Sequence, residues 1–273
     1  MGSIFKSKHI NEMRIYPYLT FFIPGYYTLR TRHSSTKGVV RFILTYFLPI
    51  FLFLVWREYS IVNLLLGFLL VYVLYEVGYI ENDCETIKKE SNPTLRLKST
   101  EYQLYEKHRI SIYTGKIVAA VLIAALLYVR RVNLLICLFS FILIPSYLVY
   151  NRIRCKWNLV LHAWLMFVRY YAPILISLGV FFSKDAIAIL FVYPVRVMIE
   201  LSVKGKFGGY ENIIVKRFLL HEYSNFQQYR FRYYSFTTLF MLLLLWMKII
   251  DMPIFFIYFY YLMFTIFSMR LPN

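Results

Sequence analysis

Five of the chain's fourteen acidic residues, Glu76, Glu81, Asp83, Glu85 and Glu90, fall within fifteen positions. They stand in a chain with 31 Lys and Arg and a formal net charge of +17. Asn82, Asp83 and Glu90 are oxygen ligands. Hard cations such as magnesium prefer oxygen, and magnesium usually binds one or two carboxylates plus substrate phosphates. Lys88, Lys89 and Arg96 can hold phosphate oxygens, Arg96 as a two-pronged fork. The run Asn92-Pro93-Thr94 predicts a turn that aims Arg96 back at the carboxylates. Together these residues suit a diphosphate leaving group, whose charge a metal ion and cations neutralise as it departs. The expected roles are Asp83 and Glu90 as catalytic, magnesium-holding residues and Asn82 and Arg96 as substrate-binding residues.

The elements that must position this stretch are membrane helices. The 273 residues are 60% hydrophobic and only 16% charged, whereas soluble domains carry about 25% charged residues. The pattern predicts helices over Val39–Trp56, Ile61–Ile80, Ile112–Val129, Val132–Tyr150, Asn158–Phe182, Asp185–Val203, Tyr233–Ile250 and Pro253–Met269. Each is near the ~20 residues that cross the hydrocarbon. The second delivers the acidic stretch. The expected fold is all-α, a polytopic membrane bundle of eight or nine spanning helices forming a single domain over residues 1–273.

Residues 1–38 read as an N-terminal interfacial segment, with a helix over 12–29 bent at Pro17 and Pro24; a shallow first span is the alternative. No cleavable leader is expected there. Cys84, Cys137 and Cys155 are scattered, without zinc or disulfide-framework spacing.

Several charged residues fall inside predicted spans, where each costs roughly 2.5–3.5 kcal/mol on insertion scales. Glu76 and Asp83 share a helix face if the helix continues, and Glu90 would prolong it. Lys116, near a span's start, is placed to snorkel. Arg196 and Glu200 are spaced to pair, at the same end of their span as Asp83 is of its own. His162 and Arg169 share a face of another.

Twenty-one Lys and Arg fall in residues 1–38, the polar loops 81–111, 151–157 and 204–231, and the tail; five fall in the opposite loops. The positive-inside rule places both termini and the 81–111 and 204–231 loops in the cytoplasm. A basic chain invites a nucleic-acid reading, but these residues follow the topology and form no contiguous module, so no nucleic-acid partner is expected. Long polar segments after the second and sixth spans suggest two four-helix halves.

The stretch Asn82-Asp83-Cys84-Glu85-Thr86-Ile87-Lys88-Lys89-Glu90 resembles the Asn-Asp-x-x-Asp-x-x-x-Asp motif of the UbiA superfamily of membrane prenyltransferases. Asn82 and Asp83 match, Glu90 stands for the last aspartate, and Thr86 occupies the middle position, with Glu85 beside it. Asn92-Pro93-Thr94-Leu95-Arg96 is similar to the His-Pro-Thr-Lys-Arg run of the polyprenyl-phosphate phosphoribosyltransferase branch, one residue closer to the first motif. Arg196 and Glu200 are a loose counterpart of that branch's second motif. The resemblance implies a UbiA-like, magnesium-dependent transferase of the bacterial cytoplasmic (inner) membrane. It would move phosphoribose from phosphoribosyl diphosphate to a polyprenyl phosphate, for cell-surface polysaccharide. It also implies that Arg96, Lys204 and Lys206 hold donor phosphates, and that Arg169 or Arg196 holds the lipid phosphate, with Glu200 beside it. The alternatives are prenyl transfer from a polyprenyl diphosphate to a small acceptor, and a membrane scaffold without enzymatic activity.

Overall fold

A computed structural model describes residues 17–57, 59–90, 93–153, 155–179, 184–203 and 226–270. Their regular structure is helical throughout, with no strand among the described residues. Residues 17–22 form a helical turn. After it come α1 (Tyr26–Arg32) and α2 (Thr36–Phe42), which runs through a π-helical segment (Ile43–Phe47) into α3 (Leu48–Val55). Next are α4 (Ile61–Cys84), a 3-10 turn (Thr86–Lys89), α5 (Ser99–Val129), α6 (Leu134–Ser140) and α7 (Leu143–Arg152). The remaining helices are α8 (Trp157–Leu178), α9 (Lys184–Val192), α10 (Pro194–Val203), α11 (Phe226–Trp246) and α12 (Met252–Arg270). Among the described residues, seven helical stretches are long and apolar enough to cross a membrane. α11 is 21 residues long but opens on Gln227, Gln228, Arg230 and Arg232, and is not one of them. The protein is a helical integral membrane protein.

The polar segments hold more helix than the sequence suggests. α4 continues to Cys84, so Asn82 and Asp83 ride on its last turn instead of a loop. α5 begins at Ser99, thirteen residues before the apolar run at Ile112. Its amphipathic first turns bury Tyr105 while exposing polar neighbours, and the carboxylate of Glu101 accepts from the Lys98 amide at 2.7 Å to close the helix start. A kink at His108 joins the polar and apolar parts. Because the helix starts early, Lys116 lies in its middle, buried, instead of at an end where it could snorkel. Pro145 breaks the predicted fourth span into α6 and α7, since its ring clashes with the carbonyl at Phe141. Pro194 similarly starts α10 after a break. Gly179, with φ 72°, ends α8 four residues early in the left-handed conformation.

The chain forms two compact units, one of Met1–Phe42 and Leu65–Arg152, the other of Ile43–Leu64 and Ile153–Asn273. The division does not follow two sequential halves, because the π-helical segment and α3 belong with the C-terminal helices. In the first unit, side chains from residues 17–32 reach the core. Phe21 and Tyr27 are fully buried with Ile80 and Cys84 of α4 and Tyr105 and Ile112 of α5. The segment turns at Gly25, whose φ of 82° lies in the left-handed region that favours glycine.

Tyrosine hydroxyls serve the irregular backbone of the second unit. The π-helical segment interrupts regular carbonyl pairing. Tyr260 donates to the Leu44 carbonyl at 2.7 Å, and Tyr170 and Tyr261 to that of Thr45 at 2.8 and 2.5 Å. Around the Pro194 break, Tyr258, Tyr233 and Tyr234 donate to the carbonyls of Ala188, Phe191 and Val192. In hydrocarbon an unsatisfied backbone group costs several kcal/mol. Tyrosine hydroxyls, most of them buried, thus satisfy backbone carbonyls next to these breaks.

Candidate functional site

Asp83 is the centre of the acidic stretch, and its side chain is wholly buried. Arg32 grips it with both terminal nitrogens, Nη1 to Oδ2 at 2.8 Å and Nη2 to Oδ1 at 2.9 Å. Arg96 adds Nη1 to Oδ1 at 3.0 Å, Asn82 its amide to Oδ1 at 3.0 Å, and Tyr27 its hydroxyl to Oδ2 at 3.0 Å. The Arg32 guanidinium also lies 4.4 Å over the Tyr79 ring. Burial, and then the charge of Asp83, pushes the Tyr27 hydroxyl well above its ordinary pKa, so it stays a donor. Burial pulls the Arg32 pKa down, but its hydrogen bond to Asp83 and that carboxylate's charge outweigh this and raise it.

The elements that build this cluster follow from the sequence locally. α4 brings Glu76 and Asp83 onto one face, as their seven-residue spacing predicts, and α1 lies against that face. Glu76 accepts the Thr28 amide at 2.9 Å and the Lys116 ammonium at 2.5 Å. The other carboxylates have partners too. Tyr113 donates to Glu81 at 2.9 Å, and Tyr105 to Glu85 at 2.7 Å. Lys88 and Arg109 pair with Glu85 at 3.2 and 3.4 Å.

Arg96 does return to Asp83, as expected; residues 93–96 have no regular structure, and Asn92 of the predicted turn lies outside the described residues. Glu90 is not on the Asp83 face. It ends the 3-10 turn with an extended backbone, its amide donating to Ile87 at 3.1 Å. Thr86 is buried in that turn.

The other expected site residues are in the second unit. Arg196 and Glu200 pair as predicted, at 2.7 Å and buried. Arg230, from the first turns of α11, adds a two-pronged pair to Glu200 at 2.6 and 2.9 Å. Arg169 stacks 4.5 Å from the centre of the Tyr46 ring, whose hydroxyl donates to the Arg169 carbonyl. Lys204 and Lys206 lie outside the described residues.

Does the Asp83 cluster fit magnesium? A carboxylate offers about four lone-pair sites, and Asp83 already receives five donor contacts, three of them from guanidinium groups. A cation there would have to displace an arginine. No group of three His, Cys, Asp or Glu able to hold a metal occurs among the described residues. As arranged, the residues around Asp83 do not fit a magnesium ion. They form instead a pair of guanidinium groups held by a buried carboxylate, suited to binding phosphate oxygens.

Sequence reasoning missed Arg32, Tyr27 and Arg230. Arg32 lies beyond the helix that the sequence predicts over 12–29, in a segment that reads as interfacial. The available signal was the unpaired acid of α4 facing an N-terminal segment rich in arginine and tyrosine. Comparison with known proteins finds no matching family model, no matching curated protein and no matching solved structure.

Proposed function

We propose that the protein is a membrane-embedded transferase that takes a diphosphate-activated donor and a polyprenyl lipid, moving phosphoribose from phosphoribosyl diphosphate to polyprenyl phosphate. One observation carries this reading. Arg32 and Arg96, both partly exposed, converge on a buried aspartate at the end of a membrane-length helix. Two oriented guanidinium groups there match the forked geometry of phosphate. The positive-inside rule supports a cytoplasmic position for this end of α4, with both termini on that side of a bacterial inner membrane. The motif resemblance supports the same reaction class.

In the proposed reaction, an oxygen of the lipid phosphate attacks the anomeric carbon of the donor. The bond from that carbon to the diphosphate breaks, and diphosphate leaves with the electron pair. Arg32 and Arg96 neutralise the charge that develops on it. Asp83 holds both arginines, with Asn82 hydrogen-bonded beside it. Arg196 is already committed to Glu200 and has no part in this reading. A magnesium cofactor held by Asp83 and Glu90 does not belong to this reading, because the donors around Asp83 leave it no place.

Prenyl transfer uses the same first motif but needs a second aspartate pair. The second half of the chain has only Asp185 and Asp251, and both are tied to Arg57, at 2.8 and 2.9 Å. That disfavours the prenyl alternative. A scaffold without enzymatic activity is favoured by one observation, the complete pairing of Asp83. The test is turnover by the purified protein in bilayer discs. Phosphoribosyl diphosphate with polyprenyl phosphate is set against prenyl diphosphate with an aromatic acid. Product in the first mixture, lost in a folded Asp83→Asn variant, is the expected result. Product in neither mixture overturns the transferase reading.

A further inference from the structure

The aspartate that the motif resemblance makes a metal ligand has the surroundings of an arginine anchor. Both oxygens of Asp83 are taken by N–H and O–H donors. The nearby carboxylates that could share a cation are otherwise engaged, Glu81 with Tyr113 and Glu85 with Tyr105, Lys88 and Arg109. A divalent ion at Asp83 would lie against two guanidinium groups of like charge, in a site where burial weakens screening.

The arginines are open where the carboxylate is closed. The Asp83 side chain is 0% exposed, that of Arg32 18% and that of Arg96 32%. A guanidinium carries five N–H donors. Arg32 spends two of them on Asp83 and Arg96 one. The remainder can receive an anion that approaches from the exposed side while Asp83 fixes the two groups from beneath. The Tyr79 ring under Arg32 restricts that guanidinium further.

We infer that the diphosphate of the substrate is bound by Arg32 and Arg96 without a metal ion, and that Arg32, supplied by the N-terminal helix α1, is a substrate-binding residue of the site. The inference takes from the proposed function only the identity of the ligand as a diphosphate. Arginine suits the role because its planar fork matches two phosphate oxygens at once, which a lysine ammonium cannot do.

The full chain in bilayer discs is titrated with inorganic diphosphate by calorimetry, in EDTA and then in excess magnesium. Binding in EDTA is expected, at least tenfold weaker in Arg32→Gln and in Arg96→Gln, and not restored by Arg32→Lys. Binding that appears only with magnesium, or that both glutamine variants leave unchanged, overturns the inference. Arg96→Gln alters a residue outside the helices, in segment 93–98, so it carries the test if Arg32→Gln fails to fold. Competition by phosphoribosyl diphosphate and by a soluble prenyl diphosphate distinguishes the two sources of the group: whichever displaces inorganic diphosphate in EDTA supports the site, and displacement by neither overturns it. Metal-free binding without turnover would sink the transferase reading and leave this site standing. Magnesium-dependent turnover without metal-free binding would do the reverse.

Discussion

Glu76 and Lys116 form an ion pair of 2.5 Å between α4 and α5, with side-chain exposures of 0% and 1%. The Thr28 amide donates to the second carboxylate oxygen, and the Lys116 ammonium reaches the Ile23 carbonyl at 3.3 Å. The pair therefore also ties the N-terminal segment down. Removing one partner of a buried pair costs about 3–5 kcal/mol, because the other charge is left without compensation. Glu76→Leu strands Lys116 and also orphans the Thr28 amide, which adds about 1–3 kcal/mol. Lys116→Met strands Glu76, which keeps the Thr28 contact, and so costs about 3–5 kcal/mol. In the double variant no buried charge remains, and the surviving cost is mainly the orphaned backbone groups, about 1–3 kcal/mol each. The double variant is thus expected to be more stable than either single one. Reversible unfolding of all four proteins in the same detergent measures the cycle. A double variant whose cost equals the sum of the singles would refute the pair's coupling, and with it the view that α1 is anchored through buried charge.

Other consequences are equally direct. Gly78 lies against Tyr147, and a methyl group at Gly78 would overlap that ring. Gly78→Ala gains about 1 kcal/mol of helix propensity but should lose about 1–3 kcal/mol or more to overpacking; the thermal midpoint should fall, and Tyr147→Ala should restore part of it. Arg57 holds Asp185, which is buried, and Asp251. Arg57→Ala removes the guanidinium shared by the two carboxylates and should cost about 3–5 kcal/mol, and Arg57→Ala with Asp185→Asn should recover part of that stability in the same unfolding assay.

Much of the architecture is legible in residue order. Apolar runs of membrane length mark the helices, and Pro145, Pro194 and Gly179 account for the breaks and ends that the runs conceal. The pairing of Arg196 with Glu200 and the shared face of Glu76 and Asp83 follow from helical spacing alone. Arg96 meets Asp83 only thirteen residues away, close enough for its return to be expected from residue order. Glu90 shows the limit of such reasoning, since its place on the α4 face required a helix that stops at Cys84.

Residue order alone dictates a helical membrane protein with its acid gathered at one helix end, because hydropathy and helix periodicity act over neighbouring residues. What that acid does depends on residues far away in the chain. Arg32 is 51 positions from Asp83, and Lys116 is 40 from Glu76. No local pattern joins them. The need to compensate buried charge does, and it turns a stretch that reads as a metal site into an anchor for arginines. The same holds for tyrosines such as Tyr261, whose hydroxyl meets a carbonyl 216 positions away. A buried polar group must find a partner wherever the fold supplies one, and only packing decides where that is.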